Sequence, residues 1–280
     1  MVIISGFSNL TASVYGCVLK GGETLSELIL YERKENAAWI TLNNPTKLNC
    51  LSRSMVRELN SYLTKIKMDT EISAVIITGA GSTSFCAGMN VNEFDGLTPK
   101  GAHSLISELK ELCLLARTIP QVVIVSINGY CIGAALELAM AADLRIASKN
   151  AVFAMPEIKL GIPSVLDSVL LQQYVGLSLA REMLLTGDSV DLVQINQYGF
   201  INKVVEFADL KAETEILANR VTVNDSLTVA TQKRLFETWQ NSSLNIAVQD
   251  SVNEFSLSFT TDVPQKRLDD YLSSKKVKNT

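Results

Sequence analysis

The chain has 280 residues, 47% of them hydrophobic, and a formal net charge of −4 at pH 7. This length suits one large domain with a substantial core, and acidic and basic residues are spread along it without the basic surface that nucleic-acid phosphates require. With His103 as its single histidine, the chain has too few ligands for a histidine-rich metal site. We therefore expect neither a nucleic-acid partner nor a metal.

Targeting signals are absent from the sequence pattern. No apolar run reaches the roughly twenty residues that span a bilayer, so we expect no membrane partner. The start of the chain lacks the basic residues of a secretory signal and the arginines of a transit peptide, and the C-terminal Lys278-Asn279-Thr280 is unlike a peroxisomal tripeptide. The five cysteines are odd in number and widely spaced, which favours reduced thiols. These features predict a cytoplasmic protein with an N-terminal extension, residues 1–25, of unassigned role.

Hydrophobic periodicity predicts strands that alternate with helices. In chain order they are a hairpin from Leu28 to Leu42, a helix from Ser52 to about Ile66, a strand over Ala74 to Thr78, a helix from about Ala102 to Arg117, a strand over Val122 to Ser126, a helix from Ala134, and strands over Leu144 to Ala147 and Lys203 to Val205. This alternation indicates an α/β core with parallel sheets, predicted over residues 26–206.

The last part of the chain, residues 207–280, changes to a helical pattern. Three helices are predicted near Asp209 to Val221, Leu227 to Trp239 and Leu244 to Ser258. We expect this region to pack on the core or on a neighbouring subunit.

Four ordered motifs carry the chemistry. They are Ser84-Phe85-Cys86-Ala87-Gly88-Met89-Asn90, the run from Ser126 to Ala139 with Asp143 to Ala147, Met155-Pro156-Glu157 with Leu160-Gly161-Ile162-Pro163, and Leu184-Leu185-Thr186-Gly187-Asp188. Together they resemble the signature segments of the enoyl-CoA hydratase/isomerase (crotonase) superfamily, and most closely those of enoyl-CoA hydratases. The similarity runs from about Leu28 to Val205.

This resemblance implies a fold and an assembly. The fold would be the crotonase spiral of β-β-α repeats, related to ClpP, with a helical C-terminal region used in trimerisation. The assembly would be a homotrimer or a dimer of trimers. The substrate would be an acyl-CoA thioester, with no separate cofactor because coenzyme A is part of the substrate.

Two glutamates, Glu137 and Glu157, are the catalytic residues that the resemblance implies. Glu137 lies three residues after Ala134, so the two share one face of a helical turn, in a buried run where an idle carboxylate would be costly. The two carboxylates would hold one water and act as base and acid, so we expect them to face one cavity. Isomerases of the superfamily often keep only one such carboxylate, so the presence of both favours hydration.

The resemblance also assigns an oxyanion hole to the backbone amides of Ala87 and Ala134. Preorganised amides stabilise negative charge on a thioester oxygen at low reorganisation cost. The Ala134 amide lies in a first helical turn, where it has no intrahelical partner and sits at the positive end of the helix dipole. We expect both amides to be unpaired within the protein and to converge on one point.

Further residues of the motifs are assigned to substrate binding by the same resemblance. They are Lys47, Leu48, Asn49, Cys86, Gly88, Met89, Asn90, Gly133, Pro156 and Ser164. The segment Lys47-Leu48-Asn49-Cys50-Leu51 resembles the one whose backbone accepts the adenine and pantetheine end of coenzyme A, and Lys47 is either a phosphate contact or a solvated lysine.

Two segments depart from the hydratase pattern. Asn90 stands where hydratases usually have an aspartate, and Ser164-Val165-Leu166-Asp167-Ser168 replaces a glycine-rich stretch. The departures concern water positioning and the shape of the acyl pocket.

Several functions remain open on the sequence alone. The leading one is addition of water to a 2-enoyl-CoA, or its reverse. Alternatives on the same scaffold are double-bond isomerisation, decarboxylation, and dehydration of a decorated acyl-CoA. A non-catalytic acyl-CoA-binding or assembly subunit would be indicated by a pocket blocked by Val165 or Leu166. A ClpP-like serine peptidase would need Ser126 or Ser164 paired with His103.

Overall fold

The predicted hairpin forms and begins a six-stranded sheet. The computed structural model describes residues 28–278. Strands β1 (Ile29–Lys34) and β2 (Ala37–Leu42) pair antiparallel, with Ile29 opposite Leu42. The sheet has the order β1-β2-β3-β5-β7-β10, and every pair after the hairpin is parallel. Its other strands are β3 (Ala74–Gly79), β5 (Val122–Ile127), β7 (Leu144–Ser148) and β10 (Lys203–Val205).

A second sheet of four short strands lies beside the first and was not predicted. It has the order β4-β6-β8-β9, formed by β4 (Ser84–Cys86), β6 (Tyr130–Ile132), β8 (Val152–Ala154) and β9 (Ser189–Asp191). Strands of three residues are too short to show an alternating pattern. Cys86 lies opposite Cys131 in the parallel pair β4 and β6, so the loops that follow these strands lie side by side. This pairing creates the region in which the two predicted oxyanion segments meet.

The three helices predicted for the core form in the predicted order, as α1 (Arg53–Lys67), α2 (Pro99–Thr118) and α3 (Ala134–Ala141). Three further helices that the pattern did not predict follow them, namely α4 (Leu171–Val175), α5 (Leu177–Thr186) and α6 (Leu192–Ile195). Helix α2 begins three residues before the predicted start because the Thr98 side chain caps it, accepting a hydrogen bond from the Gly101 amide at 3.2 Å. The units β3-β4-α2 and β5-β6-α3 are the β-β-α repeats that the resemblance implied.

The C-terminal region is helical, as predicted. Its helices are α7 (Leu210–Thr222), α8 (Ser226–Asn241), α9 (Leu244–Ser258) and α10 (Val263–Lys278), the last of which the pattern did not predict. Helix α7 covers the outer face of the six-stranded sheet, where Thr214 and Ser126 share a hydrogen bond of 2.9 Å. The division between residues 26–206 and 207–280 stays a prediction.

Helix α8 is tied to the core by a buried lysine. The Lys233 ammonium lies 2.6 Å from the Asp143 carboxylate and donates to the Gln121 carbonyl at 2.7 Å. Both ionic side chains are largely buried, and the Asp143 carboxylate also accepts from the Val123 amide at 2.7 Å. Lys233 therefore joins α8 to the residues that directly precede β5 and β7.

Three of the cysteines that the structure describes are free thiols, and a fourth is not. Cys86, Cys113 and Cys131 are free and buried. Cys50 is disulfide-bonded, so the expectation of reduced thiols is wrong for this residue, while Cys17 and the N-terminal extension lie outside the described residues. Within residues 28–278, no helix is long and apolar enough to cross a bilayer, and no cluster of three or more potential ligands could hold a metal ion.

Candidate active site

Both predicted catalytic glutamates line one cavity. The cavity measures about 100 Å³ and lies between the loop after β4, the start of α3, and the turn after β8. The expectation that Glu137 and Glu157 face a common cavity is confirmed. Other predicted site residues that line it are Ala87, Gly88, Met89, Gly133, Ala134 and Pro156.

Glu137 lies in the first turn of α3 and is only 4% exposed. Its Oε1 atom accepts a hydrogen bond of 2.7 Å from the Ser168 hydroxyl. Burial raises the pKa of Glu137 to about 8; the nearby Glu157 carboxylate adds to the increase, and the Ser168 hydrogen bond opposes it. Glu137 therefore holds a proton readily at neutral pH.

Glu157 lies in the short 3₁₀ turn Pro156–Leu160, directly after β8. Its Oε2 atom accepts a hydrogen bond of 2.7 Å from the Ser164 hydroxyl. Burial raises the pKa of Glu157, and the Ser164 hydrogen bond opposes the increase. Each glutamate thus has its own serine donor and leaves one carboxylate oxygen free of a side-chain donor.

The prediction that the Ala87 amide is unpaired is wrong. The Ala87 amide donates to the Leu48 carbonyl at 3.0 Å, so it is not free to bind a substrate oxygen. The next amides along the loop belong to Gly88, which faces the Cys86 sulfur at 3.3 Å, and Met89, which donates to no acceptor among the described residues. The free amide of this loop is therefore that of Met89.

The register of the loop explains why the Met89 amide is free. Leu51 forms an isolated parallel bridge with Met89, in which the Leu51 amide donates to the Gly88 carbonyl and the Asn90 amide donates to the Leu51 carbonyl, both at 2.8 Å. In such a bridge the groups flanking the central residue face the partner, so the N–H of the central residue points away. The Met89 N–H therefore points away from Leu51, and Met89 lines the cavity.

The amide of Ala134, the second predicted donor, is unpaired within the described residues, as expected. Its amide is the first of α3, and the first amides that bond to the Gly133 carbonyl are those of Leu136 and Glu137. A Cβ placed on Gly88, at φ 85°, would lie 3.6 Å from the Ala134 nitrogen, so the two loops approach closely at this point. Met89 and Ala134 thus present unpaired amides to the same cavity from neighbouring segments.

Several residues assigned to substrate binding lie away from the cavity lining. The Leu48 carbonyl accepts from both the Ala87 amide and the Ser84 hydroxyl, so it is used within the protein. The Asn49 side chain is fully buried and donates to the Ala80 and Ser84 carbonyls, which makes it a structural tie between loops.

The remaining assigned residues have mixed positions. Lys47 is partly exposed in the 3₁₀ turn Pro45–Lys47, and Cys86 is completely buried beneath the loop. Asn90 is buried outside the cavity lining and caps the turn Val91–Phe94, accepting from the Asn92 amide at 3.1 Å. The sequence motifs therefore identified the loops that form the cavity, but they did not distinguish residues that line it from residues that only hold the loops together.

The segment that departs from the hydratase pattern supplies both serine donors. Ser164 binds Glu157 and Ser168 binds Glu137, while Val165 lines the cavity and Leu166 packs against the core. Neither apolar residue fills the cavity. The contact of Ser168 with Glu137 could not be predicted, because a serine in a short turn carries no sequence pattern that shows which residue it contacts.

The geometry contradicts the peptidase alternative. His103 is exposed on α2, and its ring lies 3.5 Å from the Ser107 hydroxyl. Ser126 bonds to Thr214 and Ser164 bonds to Glu157. Within the described residues, neither candidate nucleophile is hydrogen-bonded to the histidine that would activate it.

Most of the chain matches one known protein family. Residues 32–279 match the family described as enoyl-CoA hydratase/isomerase. The chain belongs to this family.

Individual members of the enoyl-CoA hydratase/isomerase family support the assignment. The chain is 29% identical over 251 residues to the short-chain-enoyl-CoA hydratase of Clostridium acetobutylicum, with 89% of this chain and 96% of that protein covered. It is 32% identical over 219 residues to the mevalonyl-coenzyme A hydratase of Aspergillus fumigatus, with 77% and 80% covered. The enoyl-CoA hydratase structure from Mycobacterium smegmatis superposes with a TM-score of 0.85 at 25% identity, over 89% of this chain and 97% of that one.

These comparisons confirm the predicted crotonase fold and identify an enoyl-CoA hydratase-like enzyme. The curated relatives differ in the acyl group that their names specify, so membership of the family leaves the acyl group undetermined.

Proposed function

We propose that this enzyme adds water across the double bond of a 2-enoyl-CoA thioester, and catalyses the reverse reaction, through Glu137 and Glu157. The observation that carries this proposal is the presence of two buried carboxylates in one cavity, each held by its own serine, beside two unpaired backbone amides. No metal or redox cofactor takes part in this proposal.

The reaction requires one base and one acid. One carboxylate takes a proton from water as the water oxygen bonds to carbon three. The electrons of the double bond move towards the thioester, whose oxygen becomes negative. The other carboxyl group gives its proton to carbon two as the carbonyl re-forms. The products are the 3-hydroxyacyl thioester and a glutamate pair that again holds one proton.

The electrostatics of the pair suit this exchange. Burial raises the pKa of both glutamates, and the charge of Glu157 raises that of Glu137 further. Two neighbouring carboxylates in a desolvated site resist full ionisation, so the pair retains a proton near neutral pH. One donor and one acceptor are thus present at the same time, as hydration requires.

The oxyanion in this mechanism would be stabilised by the amides of Met89 and Ala134. The latter amide also lies at the positive end of α3. Removal of one such donor costs about a hundredfold to a thousandfold in turnover in enzymes of this kind of chemistry. The acyl group would lie against the apolar part of the cavity, which includes Phe94, Ile106, Leu109, Ile162 and Val165.

The test is a pair of conservative substitutions assayed with two substrates. Glu137→Gln and Glu157→Gln keep shape and hydrogen bonding but remove the proton carrier. With a 2-enoyl-CoA, each should lose about two to four orders of magnitude in kcat, because hydration needs both groups. Full activity of one variant on a 3-enoyl-CoA, with no hydration by the parent enzyme, would instead establish double-bond isomerisation.

The C-terminal helices would form the interface of a homotrimer or a dimer of trimers. Support comes from large apolar side chains that are about half or more exposed on α8 and α9, namely Leu227, Trp239, Leu244, Ile246, Val248, Val252, Phe255 and Leu257. Exposed apolar surface of this extent is typical of protein interfaces. Light scattering after size-exclusion chromatography should give three or six times the mass of one chain, and a monomer would refute this proposal.

A further inference from the structure

The turn that carries Ser168 is attached on its other side to α2. Asp167 precedes Ser168 in the 3₁₀ turn Leu166–Leu170, and its carboxylate is bonded to the Arg117 guanidinium near the end of α2. The Asp167 side chain is only 6% exposed, whereas Arg117 is 25% exposed. Consecutive residues of one turn therefore face in two directions, Asp167 to the arginine and Ser168 to Glu137.

This turn needs contacts from outside to keep its shape. Leu166 has φ 51°, in the left-handed region that branched side chains disfavour, at a cost on the order of 1–3 kcal/mol. A desolvated carboxylate at Asp167 would also be strongly unfavourable without its cation. The ion pair with Arg117 is therefore the contact that fixes the middle of the turn.

The position of the turn controls the hydrogen bond to Glu137. The Ser168 hydroxyl lies 2.7 Å from Glu137 Oε1, and a hydrogen bond of this kind is lost when the atoms separate by about 1 Å. Because Ser168 follows Asp167 directly, a shift of one backbone position moves the other.

We propose that Arg117 is a positioning residue of this enzyme, which acts through its ion pair with Asp167 to hold Ser168 as the hydrogen-bond donor to Glu137. The inference rests on the proposed role of Glu137 in hydration. It assigns a task to an arginine that lies outside the cavity lining and touches no substrate atom.

The surroundings of Glu137 make its titration a usable signal. The ionisable groups that face it are Glu157, from the turn after β8, and the Cys113 thiol of α2. Burial raises the pKa of Cys113, so this thiol stays neutral in the working range. The Ser168 hydroxyl favours the ionised form of Glu137, so loss of this donor raises the pKa of the glutamate further.

The experiment compares pH profiles of kcat for hydration of a 2-enoyl-CoA. Ser168→Ala should move the alkaline limb to higher pH by about one unit, the effect of one hydrogen bond to a charged group. Arg117→Met and Asp167→Asn should move it in the same direction and lower kcat more than they change KM. Arg117→Lys should restore part of the parent profile because it keeps the charge.

A matched control uses the other partner of Arg117. The Glu237 carboxylate lies 3.5 Å from the Arg117 guanidinium on the side of α8, so Glu237→Gln alters the arginine without touching Asp167. This variant should keep the parent profile. If Arg117→Met fails to fold, the double variant Arg117→Met/Asp167→Asn removes both charges and allows the same measurement.

The double variant Arg117→Met/Ser168→Ala separates positioning from general stability. The alkaline limb of its kcat–pH profile should lie at the same pH as that of Ser168→Ala, because both changes remove the same hydrogen bond. An unchanged limb in folded Arg117→Met, or a shift that adds to that of Ser168→Ala, would overturn the positioning role. Parent-like hydration by Glu137→Gln would instead overturn the proposed function itself.

Discussion

Glu157 Oε1 occupies the space in which a side chain at position 133 would begin. A Cβ placed on Gly133 would lie only 2.5 Å from this carboxylate oxygen. Gly133 also has φ 57°, and its amide donates to the Ala154 carbonyl at 2.9 Å, which joins the start of α3 to the end of β8. The glycine therefore allows the Glu157 carboxylate to lie directly against α3, the helix that carries Glu137.

Gly133→Ala should consequently damage the site more than it damages the fold. The Cβ would displace the Glu157 carboxylate, and a shift of this size can cost about a hundredfold in turnover. Gly199→Ala is the matched control, since Gly199 has φ 81° but no atom within 4 Å of an added Cβ. Both variants should lose thermal stability to a similar extent, and only Gly133→Ala should lose kcat. Equal activities of the two variants would contradict this prediction.

The activity should fall as the pH rises through about 8. Glu137 has a pKa of about 8, and loss of its proton leaves a fully ionised pair without a donor for carbon two. A profile of kcat against pH for hydration of a 2-enoyl-CoA checks this, with buffers matched in ionic strength. A flat profile between pH 7 and 9 would show that the proton of this pair is not required.

Glu137→Gln should stabilise the protein at neutral and alkaline pH although it removes activity. The folded protein holds the Glu137 proton up to about pH 8, whereas the unfolded chain releases it near 4.5, so the parent loses stability as the pH rises between these values. The loss at pH 7 is on the order of 3 kcal/mol. The melting temperature should therefore fall more between pH 5 and pH 8 for the parent than for Glu137→Gln. Parallel curves would argue against a buried, protonated Glu137.

The oxyanion donors can be distinguished by replacing single amide groups with esters. An ester at Met89, introduced as the hydroxy-acid analogue, removes the free N–H, although it also weakens the Gly88 carbonyl as an acceptor for the Leu51 amide. This variant should lower kcat about a hundredfold or more. An ester at Ala87 should mainly reduce stability, because that amide bonds to the Leu48 carbonyl. If the Ala87 ester lost activity and the Met89 ester did not, the original assignment from the sequence would be restored.

Ala134→Pro tests the second donor with an ordinary substitution. Position 134 is the first residue of α3, where proline is tolerated because its missing N–H has no intrahelical acceptor. The variant should fold and lose about a hundredfold in kcat. Circular dichroism and a melting curve would verify that α3 remains intact. A folded variant with the parent rate would exclude the Ala134 amide from the mechanism.

Elements with a strong periodic pattern were predictable from the sequence. Helix α1 follows its apolar spacing, with Met55, Leu59 and Leu63 buried and Ser52 capping the first turn. The long parallel strands likewise follow their continuous apolar runs, as in β5. The three-residue strands of the second sheet were missed, because their pairing depends on neighbours that are distant in sequence.

In the candidate site, too, only relations set by local sequence spacing were predictable. Glu137 and Ala134 were placed together because helical spacing fixes their relation. The choice between the Ala87 and Met89 amides depended instead on the bridge to Leu51, which no local pattern reveals. The contact between Ser168 and Glu137 joins residues that are 31 apart in sequence, with β7 and β8 between them, and no local pattern reveals it either.

The ion pair of Lys233 and Asp143 can form only late during synthesis of the chain. The acceptor of Lys233 at Gln121 lies 112 residues earlier. A chain leaves the ribosome from its N-terminus, so Asp143 emerges long before its cation does. Until α8 arrives, the Asp143 carboxylate lacks this cation, so we expect it to stay hydrated or protonated and the end of α3 to remain loosely packed. We therefore expect α3, which carries Glu137, to reach its final packing late in synthesis, and a fragment that ends at residue 206 to remain incompletely packed at this point.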